Sequence, residues 1–280
     1  MKFLRLRATF AAASATVLLA ACGSGSDSVP APKLFSTVVV FGASTADAGN
    51  ACNANPASCP PAPPYATARA SNGPTWVEVL ASGYGAAAAP SRQGGTNYAF
   101  GGARTGTVPG AAATTAPSMV AQVNQYLPTV NFQVNPQHLI VLDVLTFGNN
   151  IAAALTEGLN TTAVVTQGVT DVVSMINQLY AAGARHILVA NTPNIGRTPR
   201  IQLTAATLPP ANAAQLVGGA TALSQAFNGA LAQQIAGLRT VLTGANIYLH
   251  DIFALETAVV ANPASFGLTN VTSEIGRAHV

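Results

Sequence analysis

Four runs of apolar residues punctuate the chain: Val38-Val39-Val40-Phe41, Leu139 to Leu145, Ile187-Leu188-Val189-Ala190, and Ala245 to Leu249. The first three are continuous or nearly so and rich in β-branched residues, the pattern of strands buried on both faces. Between them lie longer segments whose apolar residues recur every three or four positions, the period of amphipathic helices. The spacing predicts a helix from Pro117 to Leu127, through Met119, Val120, Val123 and Leu127. A long helix is predicted from Thr161 to Ala182, closed by Gly183. A third, rich in Ala and bent at its glycines, runs from Ala211 to Leu242. Gly73 to Leu80 reads as a short helix with Pro74 in its first turn, and Asn97 to Ala103 as a short strand entering a Gly turn. Asn50 to Asn72, rich in Pro and Ala, reads as an irregular loop. Strands alternating with helices predict a parallel sheet covered on both sides, and right-handed crossovers make it a three-layer α/β/α sandwich.

The first strand stops at Gly42, and Ser44 follows two residues later. A strand, a tight Gly turn and small polar residues opening a helix lift Ser44 to the carboxyl edge of the sheet, where ligands bind in open α/β folds. Backbone N–H groups at a helix start can also stabilise an anion there. Taken alone, Ser44 reads first as a plain helix cap, and the remaining motifs must overturn that.

The N-terminus changes the picture of where the protein resides. Lys2, Arg5 and Arg7 precede an apolar run from Ala8 to Ala21, too short to span a bilayer as a mature helix. Residues 1–21 therefore read as a signal peptide. The run ends Leu19-Ala20-Ala21-Cys22-Gly23, which resembles the lipobox of bacterial lipoproteins, with Cys22 as the lipid attachment site. Residues 22–33 read as a flexible tether, placing the protein on the cell envelope, with the outer membrane the leading choice and secretion the alternative. Without residues 1–21, Lys plus Arg falls from 12 to 9, level with 9 Asp plus Glu, so no basic surface for nucleic acid is present. The remaining about 260 residues suit one α/β domain. Cys52 and Cys59, with Asn53 to Ser58 between them, read as a disulfide in an exported loop. With no His or second Cys pair beside them, they do not form a metal site.

The ordered set of motifs resembles the GDSL or SGNH hydrolase family. Phe41-Gly42-Ala43-Ser44-Thr45-Ala46-Asp47-Ala48-Gly49-Asn50 is similar to its first block, Phe-Gly-Asp-Ser-Leu-Ser-Asp-Thr-Gly-Asn. Asn72-Gly73-Pro74-Thr75-Trp76, Asn97 to Ala103, and Phe147-Gly148-Asn149-Asn150 follow in family order, as do Gly183-Ala184-Arg185-His186 and Asn262 to Val271. The resemblance implies a flavodoxin-like fold over residues 34–272 and a serine carboxylester hydrolase that needs no cofactor. It implies Ser44 as nucleophile, forming an acyl-enzyme on an ester substrate, a lipid or an acylated sugar. The implied oxyanion donors are the backbone N–H groups of Ser44 and Gly101 and the side-chain amide of Asn149, with Gly102 in place of Gly101 if the register shifts by one. Otherwise Gly101 and Gly102 form a plain turn, and Asn149 caps a helix.

Three residues depart from the family pattern: Ala43 stands for Asp, Phe147 for Gly and Asn150 for Asp. The block Asp-x-x-His, which supplies acid and base, has no counterpart. Of the four histidines, His138 and His186 precede strands, His250 follows the last strand, and His279 has Gly276 three positions before it. These departures favour a second reading, a non-catalytic surface lipoprotein that binds carbohydrate or another partner on the same fold. They also raise a third expectation, that the sequence is cut short of its Asp-x-x-His block. Residues 273–280 then form a non-native tail, and Glu274 to Val280 resembles the translation of a DNA-sequencing adapter.

Overall fold

The computed structural model describes residues 34–271. The four apolar runs form one parallel sheet of β1 (Thr37–Phe41), β2 (His138–Asp143), β3 (His186–Ala190) and β4 (Asn246–His250), paired in that order. The register is in step: Val40 lies opposite Val141, Val141 opposite Leu188, and Leu188 opposite Tyr248. Helices α1 (Asn50–Ala54), α2 (Trp76–Gly83) and α3 (Met119–Thr129) lie between β1 and β2. Helices α4 (Phe147–Thr156) and α5 (Thr161–Ala181) lead to β3, and α6 (Pro199–Ala206) and α7 (Pro210–Val241) to β4. Helix α8 (Ile252–Ala261) follows β4.

The expected short strand at Asn97 is reduced to a ladder on the free edge of β1. Val40 N donates to Thr96 O at 3.0 Å, Tyr98 N to Val40 O at 2.8 Å and Phe100 N to Gly42 O at 3.1 Å. Counting this edge segment, the spatial order is 2-1-3-4-5 in chain order, the flavodoxin-like arrangement, whose ligands gather where successive connections leave β1 in opposite directions. Ser44 follows the strand that occupies this switch point.

Strand residues alternate between two apolar layers, as the pleat requires. Val39, Phe41, Ile140, Leu142, Ile187, Val189 and Ile247 pack with residues of α3, α4, α5 and α7. Val38, Val40, Leu139 and Val141 pack with Val77 and Ala81 of α2 on the opposite face. On that second face Leu188 is only partly buried and Tyr248 of β4 is 42% exposed, and no residue of α8 is buried. Parallel sheets are normally covered on both sides; here Ala190 is buried and Leu188 packs on the α2 side, whereas Asn246, Tyr248 and His250 of β4 are exposed among the described residues.

Several boundaries differ from the sequence expectation. β2 ends at Asp143, because Val144–Thr146 turns as a short 3₁₀ segment in which Thr146 Oγ1 donates to Asp143 O at 2.7 Å. The last strand is shifted one residue, so His250 is its end rather than the residue after it. The loop from Asn50 begins as α1, and its Cys52 and Cys59 form a disulfide, Cα atoms 4.9 Å apart. Pro74 stands before α2, which starts behind Thr75 and Glu78 in a capping box, the Thr75 amide donating to Glu78 at 2.7 Å. α7 is a single helix of 32 residues. Among the described residues no helix is long and apolar enough to cross a membrane. Residues 1–33, with Cys22, and residues 272–280, with His279, lie outside the described residues.

Candidate active site

Phe41 ends β1 in the core, and Gly42 begins the turn that carries Ser44. This glycine is required by space: a Cβ there would stand 2.6 Å from Cβ of Asp143 on β2. Both backbone groups of Gly42 are held by one side chain on α3. Its N–H donates to Gln122 Oε1 and its carbonyl accepts from Gln122 Nε2, each at 2.9 Å. The next turn closes on Ala43, whose carbonyl accepts from Ala46 N at 3.1 Å and Asp47 N at 2.9 Å. Ser44 sits on the crest of that turn with its side chain exposed. Among the described residues neither its hydroxyl nor its N–H makes a hydrogen bond, so both remain able to bond a ligand.

Asp47 organises the surroundings. Its Oδ1 accepts from the N–H groups of Gly49 (2.8 Å) and Asn50 (2.6 Å), and its Oδ2 from Ala51 (3.1 Å) and Gly101 (2.8 Å). The carboxylate caps the start of α1 and ties it to the Gly101-Gly102 turn. The Gly101 N–H is thereby spent on Asp47. The neighbouring Gly102 has φ of +83°, is exposed and has no such partner for its N–H. Asn149 stands in the first turn of α4 at the edge of the same turn, its Nδ2 donating to Ala103 O at 2.6 Å. One hydrogen of that amide is fixed and the second remains to donate.

The three departures from the family pattern are absorbed by packing and hydrogen bonding. Ala43 is buried. Phe147 is fully buried and stacks on Phe227 with centroids 3.7 Å apart, seating α4 against α7. Asn150 accepts from Thr105 N at 3.2 Å and donates to Thr105 Oγ1 at 2.8 Å. Thr105 in turn donates to Asp171 of α5 at 2.8 Å, and Gln167 to the other oxygen of Asp171 at 2.8 Å. Burial raises the Asp171 pKa, offset by the Gln167 and Thr105 bonds.

Another buried carboxyl lies against Gly42 and Thr45, the residues on either side of Ala43-Ser44. Asp143 is wholly inaccessible, its Oδ2 accepts from Thr45 Oγ1 at 2.6 Å, and its Oδ1 has no partner. Burial pushes its pKa up to about 7, against the lowering effect of the Thr45 hydroxyl and the Leu145 amide. Gln122, Asp143 and Asp171 were missed as site-shaping residues in the sequence. Each is a polar residue at an apolar phase of its helix or strand, which is the signal that marks it.

No described histidine reaches Ser44. His138 and His186 open β2 and β3 at the opposite edge. His250 is at the correct edge, but β4 is three strands from β1, about 14 Å at ~4.8 Å per strand. Asp251 instead caps α8, accepting from Ala254 N at 3.0 Å, and accepts from Asn191 Nδ2 at 3.0 Å. Among the described residues no cluster of His, Cys, Asp or Glu is fit to hold a metal ion.

The sequence from residue 38 to 273 matches the family described as GDSL-like Lipase/Acylhydrolase. The chain belongs to that family. A phosphatidylcholine-sterol acyltransferase of Aeromonas hydrophila is 30% identical over 190 residues, 65% of this chain and 51% of that protein. A GDSL esterase/lipase of Arabidopsis thaliana is 30% identical over 99 residues, 35% of this chain and 27% of that protein. The chain thus spans about half, or less, of the length of these relatives.

Proposed function

We propose that this protein is an exported serine ester hydrolase that works through an acyl-enzyme on Ser44, with lipid-type esters as substrates. The observation that carries the reading is Ser44 itself, exposed with an unspent N–H at the switch point, beside the turn held by Asp47 and Asn149. The family match and the names of the two relatives supply the reaction class. Ser44 Oγ attacks the ester carbonyl. The charge that develops on the carbonyl oxygen is met by the N–H groups of Ser44 and Gly102 and by the Asn149 amide. Gly102 replaces Gly101 in this role because Asp47 already takes the Gly101 N–H. Each such donor is worth roughly 10²–10³ in rate.

The base that takes the Ser44 proton is not among the described residues. We place it, with its orienting carboxylate, in an Asp-x-x-His segment that the natural protein carries after residue 272, residues 273–280 being foreign. The exposed face of β4 and the unburied α8 leave room for such a segment on that side. We assign residues 1–21 to export and Cys22 to lipid attachment at the cell envelope.

Turnover of p-nitrophenyl butyrate by the 280-residue chain tests this reading. Slow release of p-nitrophenol is expected, because a serine hydroxyl without its base still attacks, weakly, an activated ester held by the oxyanion donors. Ser44→Ala should abolish it. Unchanged turnover by a folded Ser44→Ala variant overturns the assignment.

A further inference from the structure

Asn150 of α4 stands where the family block has Asp, and it is joined to a carboxylate from another helix. Thr105 lies between the two. Its N–H donates to Asn150 Oδ1 at 3.2 Å, which turns Asn150 Nδ2 toward the Thr105 hydroxyl at 2.8 Å. That hydroxyl accepts from Asn150 and has one hydrogen to give, which goes to Asp171 Oδ2 of α5 at 2.8 Å. The other Asp171 oxygen accepts from Gln167 at 2.8 Å. All three linked residues are buried, Asp171 the most exposed of them at 6%. Gly106 makes the approach possible, since a Cβ there would stand 2.5 to 2.7 Å from the three carboxyl atoms of Asp171.

The network ends at the oxyanion site. Thr105 lies two residues after Ala103, whose carbonyl takes one hydrogen of the Asn149 amide. Asn149 and Asn150 therefore fasten the first turn of α4 to one segment at two points. This fixes the rotation of the turn and with it the direction of the second Asn149 hydrogen. The segment is held from α3 as well, Met119 N donating to Arg104 O at 2.9 Å and Val120 N to Thr105 O at 3.0 Å. Asp171 completes the hold from α5.

We propose that Asp171 is a positioning residue for the oxyanion site, acting through Thr105 and Asn150 on Asn149, and that it supplies from α5 the carboxylate that the family block carries at residue 150. This rests on the reading of Ser44 as nucleophile with Asn149 as a donor. The hydrogen count sets the rule that only one of the two positions can hold a carboxylate. In Asn150→Asp, a carboxylate oxygen faces Thr105 Oγ1 while the hydroxyl hydrogen is already given to Asp171. One acceptor is then left without a donor, and two buried like charges repel. In Asn150→Asp/Asp171→Asn, the carboxylate on α4 accepts from both Thr105 N and Thr105 Oγ1. The amide on α5 donates to Thr105 Oγ1 and accepts from Gln167. Every group is paired again, with the hydroxyl pointing the opposite way.

The test is a double-mutant cycle of wild type, Asn150→Asp, Asp171→Asn and the double variant, all as the 280-residue protein. Two quantities are read: p-nitrophenyl butyrate turnover, and hydrogen exchange of residues 101–108 by mass spectrometry. Asn150→Asp should lower kcat roughly 10- to 100-fold with KM within about 2-fold, because a donor is misplaced while the substrate still binds. Its segment should exchange about 10-fold faster. Asp171→Asn keeps an acceptor for the hydroxyl and should lower kcat less than Asn150→Asp does. The double variant should exceed Asn150→Asp in kcat by about 10-fold and regain the slow exchange, which is the non-additivity expected of a coupled pair.

A fully active Asn150→Asp, or a double variant no better than Asn150→Asp, overturns the inference. Slow exchange regained without kcat also overturns it, since that marks a purely structural contact. If Asn150→Asp does not fold, the inference stands only if the double variant folds and turns over the ester. Turnover that survives in Ser44→Ala overturns the serine reading instead. The exchange rates, repeated in the Ser44→Ala background, then decide the one-carboxylate rule by themselves.

Discussion

At the scale of single residues, the site is shaped by buried polar side chains that hold backbone rather than by the reactive serine. Asp47 accepts four N–H groups from two separate segments. Asp47→Ala leaves those donors in a poorly solvated pocket and should destabilise the protein by roughly 3 kcal/mol, read by chemical denaturation. Asp143 acts differently. In the folded protein its carboxyl titrates near 7, above the ordinary 3.8. Between those values the folded state keeps a proton that the unfolded chain has lost, so this residue's contribution to stability falls as pH rises through the window and is gone above 7. Asp143→Asn preserves the acceptor for Thr45 and removes the titration. Its melting temperature should be flatter than wild type from pH 4 to 7. At pH 8 it should exceed wild type by at least about 2–4 °C, the shift that 1 kcal/mol gives in a domain of this size. Parallel profiles would contradict the account. Neither aspartate was assigned a role from the sequence, although Asp143 interrupts an otherwise apolar run. Its burial depends on the 3₁₀ turn that ends β2 early, and pattern alone did not give that turn.

At the scale of elements, periodicity located the long helices α5 and α7 within a residue or so at each end, because each has an apolar stripe long enough to read. It did not reveal α4, α6 or α8, which span 8 to 10 residues. α4 matters most for function, because it carries Asn149 in its first turn. Its seat is the stack of Phe147 on Phe227, where the family has a glycine. Gly168 of α5 is small for the same reason, since a Cβ there would be 2.4 Å from the Phe147 ring. Phe147→Ala should cost about 3–5 kcal/mol through the cavity it leaves. It should also lower any Ser44-dependent ester turnover by more than its effect on substrate binding, because Asn149 loses its fixed position. Equal stability in the variant, measured by urea unfolding, would show that the stack does not seat the helix. The choice between Gly101 and Gly102 as oxyanion donor, which we propose falls on Gly102, belongs to this scale too. Motif order identified the turn, but which of two adjacent N–H groups remains free depends on the reach of Asp47 from another segment.

At the scale of the whole molecule, the parallel sheet and the placing of Ser44 were legible because apolar runs, glycine punctuation and motif order all agree. The exposure of Tyr248 on the second face, among the described residues, is not marked by anything in the sequence of β4 itself. That face and the absence of a nearby base among the described residues belong together in our account. Reading the gene past codon 272 from a fresh template should reveal an Asp-x-x-His segment in frame, and the extended protein should hydrolyse esters at least about 10²-fold faster than the 280-residue chain, the least that general-base catalysis contributes. A natural stop after Val280 in a fully active enzyme would contradict it. Intact-mass measurement of protein purified from bacterial membranes should give a mature N-terminus at Cys22 bearing acyl chains. An unacylated N-terminus would remove the anchor from the account.

The most direct test of the central claim is covalent. The protein extended past residue 272, with its base in place, would be treated with a fluorophosphonate, and the modified peptide identified by tandem mass spectrometry. The account predicts a single phosphonylated residue, Ser44, with labelling abolished in Ser44→Ala and slowed in Asn149→Ala. Labelling at another residue, or undiminished labelling of folded Ser44→Ala, would contradict it.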